Sequence, residues 1–238
     1  MTTYGIKTMK CAICGEQVVH RMSVNMYSRA EFDDVSECHQ CGYVGFDLSL
    51  PCEFQIEKLQ ALYNEVETLH EWPSGPDRNA KKFAKFGNFL AATGEHSEAA
   101  QQFLYAVAVF DDIDDPLKAL IWLTRANYQF EICLKNEFSV LSFCMHVYTL
   151  RRTGQMRRVL DTVVPANHRA RLTLEFLAYQ KILAANNFRG IGDFSNRAAL
   201  VDEQEFEKAY AMELYSVMIQ DIAENKRKQL IDDDLTPF

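Results

Sequence analysis

Two hydrophobic periods divide this chain. Near the N-terminus the pattern alternates, and Val18, His20, Met22 and Val24 read as one face of a half-buried strand. From Glu53 onward the period lengthens to near 3.6. Phe54, Ile56, Leu59, Leu62, Tyr63, Val66 and Leu69 then lay an apolar stripe along one helix. Trp72-Pro73-Ser74-Gly75-Pro76 ends that helix, because two prolines and a glycine do not continue it, and Pro76 suits the first turn of the next.

The following segment carries a more particular pattern. Phe83, Phe86, Gly87, Leu90, Gly94, Ala99, Phe103 and Ala106 fall at the offsets of a tetratricopeptide helix–turn–helix, with Gly87 where the paired helices touch. The best repeat spans 80–112, and its main departure is Asp111, where the motif favours proline. A second, less regular pair runs from Pro116 to Lys135 and from Glu137 to Thr153, with Asp115 as N-cap. The acidic run Asp111 to Asp115 lacks the bend glycine and closing glutamate of a calcium loop, so it reads as a linker and cap. A degenerate third pair falls on Phe143, Val147, Leu150, Gly154, Val159 and Val163, and Pro165 stops it. A helix over 168–185 then leads to a loop at Arg189-Gly190-Ile191-Gly192, an incomplete phosphate-loop signal with no preceding strand. Asp202 and Glu205 form a capping box for a last amphipathic helix to about Gln229, before a frayed end. Single pairs cannot bury their apolar faces, so stacking into an array is expected.

Candidate chemistry sits in the first fifty residues. Cys11-Ala-Ile-Cys14-Gly15 and Cys38-His39-Gln40-Cys41-Gly42 are two C-x-x-C pairs, each followed by glycine. A tight turn aims both sulfurs of such a pair at one ion, and the glycine accepts the positive φ that the turn requires. The 23 intervening residues are long enough for a hairpin that brings the turns together. Four thiolates close a tetrahedron and leave no position for a reacting water, so Cys11, Cys14, Cys38 and Cys41 read as one structural Zn²⁺ site per chain. An iron site and a redox dithiol are the competing readings of the same residues. His20 and His39 are ligand types as well, with His39 placed at the rim of its turn. Cys52, Cys133 and Cys144 have no partner at ligand spacing and read as buried free thiols.

The fold class is therefore mainly α: a small N-terminal β zinc ribbon over 1–52, followed by a tetratricopeptide-like helical-repeat array over 53–238. Composition agrees. The 238 residues are 48% hydrophobic and 24% charged, with only 10 glycines and 6 prolines, as a packed helical domain requires. The start lacks a secretory signal, the longest apolar run (Phe103 to Phe110) is short of a membrane span, and the seven cysteines are odd in number. A cytoplasmic, reducing location with no membrane partner is the expectation.

These features resemble the family of mainly bacterial proteins called domain of unknown function 2225, which join a zinc ribbon to tetratricopeptide-like helices. The resemblance rests on Cys11–Glu16 (CAICGE), Cys38–Phe46 (CHQCGYVGF), Lys118–Glu131 (KALIWLTRANYQFE) and the turn His146–Gln155 (HVYTLRRTGQ). The family carries proline after the first cysteine of each pair, where this chain has Ala12 and His39. The resemblance implies the architecture and no established activity.

Charge adds one asymmetry. The net charge is −8, which disfavours bulk attraction to nucleic acid or anionic lipid, yet Arg151 to Arg189 holds eight basic residues against Asp161 and Glu175. Arg151, Arg152, Arg157 and Arg158 flank the turn at Gly154, two of them at a helix start where the macrodipole disfavours cations. Internal acids or an acidic partner would compensate, and arginine suits bidentate recognition. The ribbon itself is acidic, with four basic and six acidic residues. A non-enzymatic protein-interaction scaffold for a protein or acidic peptide is the first reading. A nucleic-acid-associated zinc-ribbon factor and an enzyme whose pocket is assembled from distant residues are the alternatives, and a homo-oligomer stays open.

Overall fold

In the computed structural model, which describes residues 3–24, 35–50, 56–69, 72, 77–165, 168–192 and 194–234, the chain begins with two small antiparallel hairpins. Strands β1 (Thr3–Lys10) and β2 (Gln17–Val24) pair with Lys10 opposite Gln17, and β3 (Ser36–Glu37) and β4 (Val44–Gly45) pair with Glu37 opposite Val44. The expected strand at Val18 to Val24 is present, but its partner precedes the first cysteine pair. Each C-x-x-C is thus the turn of its own hairpin, and residues 25–34 lie outside the described residues.

The helices follow the 3.6 period. Helix α1 (Ile56–Leu69) buries Leu59, Tyr63 and Val66. Helices α2 (Asp77–Thr93) and α3 (His96–Asp112) turn back on each other at Gly94, whose φ of 90° suits glycine. Their closest approach is at Gly87, where an added Cβ would lie 2.5 Å from Phe103 Cε1. Helix α4 (Pro116–Asn136) starts where Asp115 Oδ1 accepts the Lys118 N–H at 3.1 Å. That cap settles the acidic run as a helix boundary. Trp122 on α4 is fully buried and stacks on Phe103, with ring centroids 5.6 Å apart.

The chain divides into two compact units, Met1–Cys133 and Leu134–Phe238. The first hairpins share a unit with α1 to α3, and their apolar rim lies on α1 and α2. Tyr43 meets Phe89 and Phe46 meets Phe86 edge-on, at 5.8 and 5.0 Å, and the Val44 N–H donates to Tyr63 Oη at 3.1 Å.

In the second unit α5 (Val140–Arg152) is capped by Ser139, whose hydroxyl accepts the Ser142 N–H. Helix α6 (Met156–Leu160) is a single turn, shorter than the segment expected to reach Val163. Pro165 disfavours helical backbone at Val164, and Val164 instead enters the core as extended chain. Helix α7 (Arg171–Ala185) is buried on most of its circumference and is the centre of this unit. A 3₁₀ turn (Phe194–Ala199) leads to α8 (Glu203–Asp234), where Asp202 Oδ1 accepts the N–H groups of Gln204 and Glu205. Helix α8 runs five residues past the expected end at Gln229. Among the described residues no helix is long and apolar enough to cross a membrane.

Candidate metal centre

The two cysteine turns are built alike. In the first, the Gly15 N–H donates to the Cys11 carbonyl and the Cys11 N–H to the Glu16 carbonyl, both at 2.8 Å. In the second, the Gly42 N–H donates to the Cys38 carbonyl at 2.8 Å and the Cys38 N–H to the Tyr43 carbonyl at 2.7 Å. Gly15 and Gly42 take φ values of 78° and 75°, a conformation that a Cβ would strain. The sequence C-x-x-C-G therefore encodes the same local loop twice.

Two such loops face each other, and the sulfurs of Cys11, Cys14, Cys38 and Cys41 all lie within 4.8 Å of one another. Cys11 Sγ is 3.7 Å from Cys41 Sγ, and Cys14 Sγ is 3.5 Å from Cys38 Sγ. Both are far longer than a disulfide bond of ~2.05 Å. They approach the ~3.8 Å edge of a tetrahedron whose metal–sulfur bonds are ~2.3 Å. The donor set and its spacing fit a divalent metal ion. Cys11, Cys38 and Cys41 are buried and Cys14 is exposed, so the site has one open side and three covered ones.

Backbone amides prepare the sulfurs for negative charge. The Glu16 N–H, bonded to Cys14, holds that thiol below its ordinary value. Burial pushes Cys38 and Cys41 up, against amides that donate to both sulfurs. Buried thiols that resist ionisation alone are what a dication compensates, because metal ligation requires thiolates. His39 is exposed at the rim of its turn, the side chain of His20 lies outside what is described, and among the described residues the four sulfurs form the cluster. Cys133 and Cys144 are half-buried instead of buried, and Cys52 lies outside the described residues.

Behind the sulfurs stands a cation that the sequence reading missed. Lys85 on α2 is almost fully buried, and its Nζ donates to Glu37 Oε1 at 2.9 Å and Glu67 Oε1 at 2.8 Å. Glu37 precedes Cys38, so this pair ties the second cysteine turn to α1 and α2. A lysine on an apolar helix face, with a ligand-adjacent glutamate, was the available signal.

The arginines around Gly154 do not form one surface cluster. Arg151 is completely buried and bonds to Gln180 and to the carbonyls of Phe188 and Gly190, so of the four its side chain does not reach the surface. Half-buried Arg152 donates to Tyr148 Oη at 3.1 Å. Arg157 and Arg158 are exposed; Arg157 is 3.7 Å from Asp161, and Arg158 donates to Gln155 Oε1 at 2.7 Å. No family model matches the chain, and no match is found among curated proteins or solved structures.

Proposed function

We propose that this protein is a non-catalytic scaffold in which structural zinc holds a ribbon against tetratricopeptide-like helical pairs. The observation that carries this reading is the closed set of four sulfurs, which leaves a bound metal no position for a substrate or water. Zinc suits four thiolates with no geometric preference of its own. The near-contact of Gly87 with Phe103 supports the tetratricopeptide assignment, because that repeat needs a small residue where its helices meet. Relatedness to domain of unknown function 2225 and a cytoplasmic, reducing location belong to the same proposal. Its partner is an acidic protein segment, met by exposed Arg157 and Arg158 with Arg152 behind them.

Metal analysis of protein purified without added metal should give one zinc per chain. Recovery of partners from native extract should survive nuclease and fall sharply with Arg157→Gln and Arg158→Gln combined. Metal-free folded protein would sink the zinc assignment, and nuclease-sensitive recovery would replace the protein partner by nucleic acid.

A further inference from the structure

Arg151 closes α5 with its side chain fully buried. Its Nε donates to Gln180 Oε1 at 2.7 Å, and its Nη1 donates to the carbonyls of Phe188 and Gly190 at 2.6 and 3.0 Å. These acceptors are all neutral. Burial pushes the guanidinium down to about 10, which leaves it charged at neutral pH. The rings of Tyr148 and Phe188 lie over it at 5.6 and 5.5 Å, so among the described residues this buried cation is held by neutral acceptors and aromatic faces, and its lost hydration is not returned by an opposite charge.

Two donors beside it are unmet. Arg151 Nη2 and Gln180 Nε2 are buried and have no hydrogen-bond partner among the described residues. Turning the Gln180 amide over would set an N–H against the guanidinium, so the Arg151 bond dictates its orientation. Nη2 shares an edge of the guanidinium with Nε, and Nε2 shares the amide with Oε1. The two unmet donors thus belong to side chains joined by the 2.7 Å bond from Nε to Oε1. Gly192 lies close over Nη2: a Cβ there would lie 2.7 Å from Leu183 Cδ1, 3.1 Å from Tyr179 Oη and 3.2 Å from Arg151 Nη2. Gly190 and Ile191 are exposed, so the loop is a thin cover over a polar floor. On the same loop the Arg189 guanidinium lies against Gly154, 2.8 Å from where its Cβ would be. With Arg152 next in the chain, three cations gather at the end of α5.

An acceptor-only, negatively charged group is the chemical complement of this floor, and an oxyanion can take two adjacent N–H groups at once. We infer that Arg151 and Gln180, covered by the Gly190–Gly192 loop, bind a small oxyanion, phosphate or a phosphate monoester, which enters when the cover lifts. Gly192 keeps the cover free of a side chain that would meet Arg151 Nη2. Arg189 provides the approach.

The test compares inorganic phosphate with chloride at matched ionic strength. Phosphate at ten times its dissociation constant should raise the wild-type Tm by roughly 3 °C. It should also slow amide exchange at residues 188–192 about tenfold. Gln180→Glu puts a carboxylate beside Arg151 and should abolish the response, whereas Lys208→Gln, an exposed change on α8, should keep it. Phenyl phosphate run in parallel separates a monoester from the free ion, and binding of either supports the site. Equal effects of phosphate and chloride would overturn the inference. So would a Gln180→Glu variant that responds like wild type, or loss of the response in Lys208→Gln. Should Gln180→Glu not fold, unchanged exchange at 188–192 in wild-type protein is decisive against it.

Discussion

Among the described residues each compact unit buries one long cation, and the two are held by different means. Lys85 in the first unit meets two carboxylates, Glu37 and Glu67, and Lys81 joins Glu67 at 2.7 Å. Arg151 in the second meets an amide and two backbone carbonyls. The difference follows from where each charge must act. Lysine is a compact point charge whose three donors can bridge side chains from separate elements, here β3, α1 and α2. The arginine fork has five donors in fixed directions, enough to hold an irregular loop by its carbonyls. The first arrangement ties the cysteine hairpins to helices. The second ties a loop to a helix end and, among the described residues, gives the charge no carboxylate.

Removing the metal should have the largest effect and should test whether Lys85 depends on the ribbon. Structural zinc contributes roughly 10–16 kcal/mol in ribbon-sized peptides, so chelation or Cys41→Ser should unfold the two hairpins. Glu37 would leave with them, while α5 to α8 keep their helical signal. Amide exchange resolved by segment would show this, and protection of Cys11–Gly45 surviving chelation would refute it.

Next in size is Arg151→Met, which leaves buried Gln180 and two part-buried carbonyls without that donor. A loss of about 3–5 kcal/mol in urea unfolding is expected, with early exchange at Phe188 to Gly192. A loss under about 1 kcal/mol would mean that the loop does not need the guanidinium.

In the first unit apolar contact should outrank charge. Gly87→Leu forces a side chain into Phe103 and should cost roughly 2–3 kcal/mol, because an aromatic ring stacked on Trp122 has nowhere to retreat. Lys85→Met should cost less, about 1–2 kcal/mol, since both carboxylates can turn towards water. The reverse order of unfolding midpoints would make the ion pair the principal tie.

The smallest effect is a pH signature of Lys85. Burial pushes Glu67 up, but hydrogen bonds from Lys81 and Lys85 outweigh it and hold the carboxyl below 4.5. A depressed carboxyl adds stability above its unfolded value and loses it as pH falls through the folded one. Burial likewise pushes Lys85 down, but Glu67 and Glu37 outweigh it and hold the ammonium above 10.5, so its contribution is lost only as pH rises through that higher value. Between those limits the tie is constant. Below about pH 4.5 wild type should therefore lose stability more steeply than Lys85→Met. Parallel acid profiles would remove Glu67 from the account.

The sequence by itself determined whatever is encoded locally. The glycine after each cysteine pair implies the left-handed turn, and four cysteines at that spacing imply one cluster. Helices α1 to α5 follow from the 3.6 period, and the caps at Asp115 and Asp202 from short-range hydrogen bonding. Gly87 was legible because its small size answers a contact at a known offset. The hairpin partner of β2 was not, since alternation says which face is buried and not which strand lies alongside. Val163 carried an apolar signal that Pro165 interrupted two residues later. Only the tertiary structure decided the fate of the long cations. Nothing in a linear pattern separates Lys85 or Arg151 from a solvated charge, because a side chain that spans several ångströms can reach water or a partner far away in the chain. Which it reaches depends on Glu37 and Glu67 in one unit and on the Phe188–Gly192 loop in the other. These contacts span 48 and 37 positions for the Glu37 and Phe188 bonds, beyond any helical or strand period.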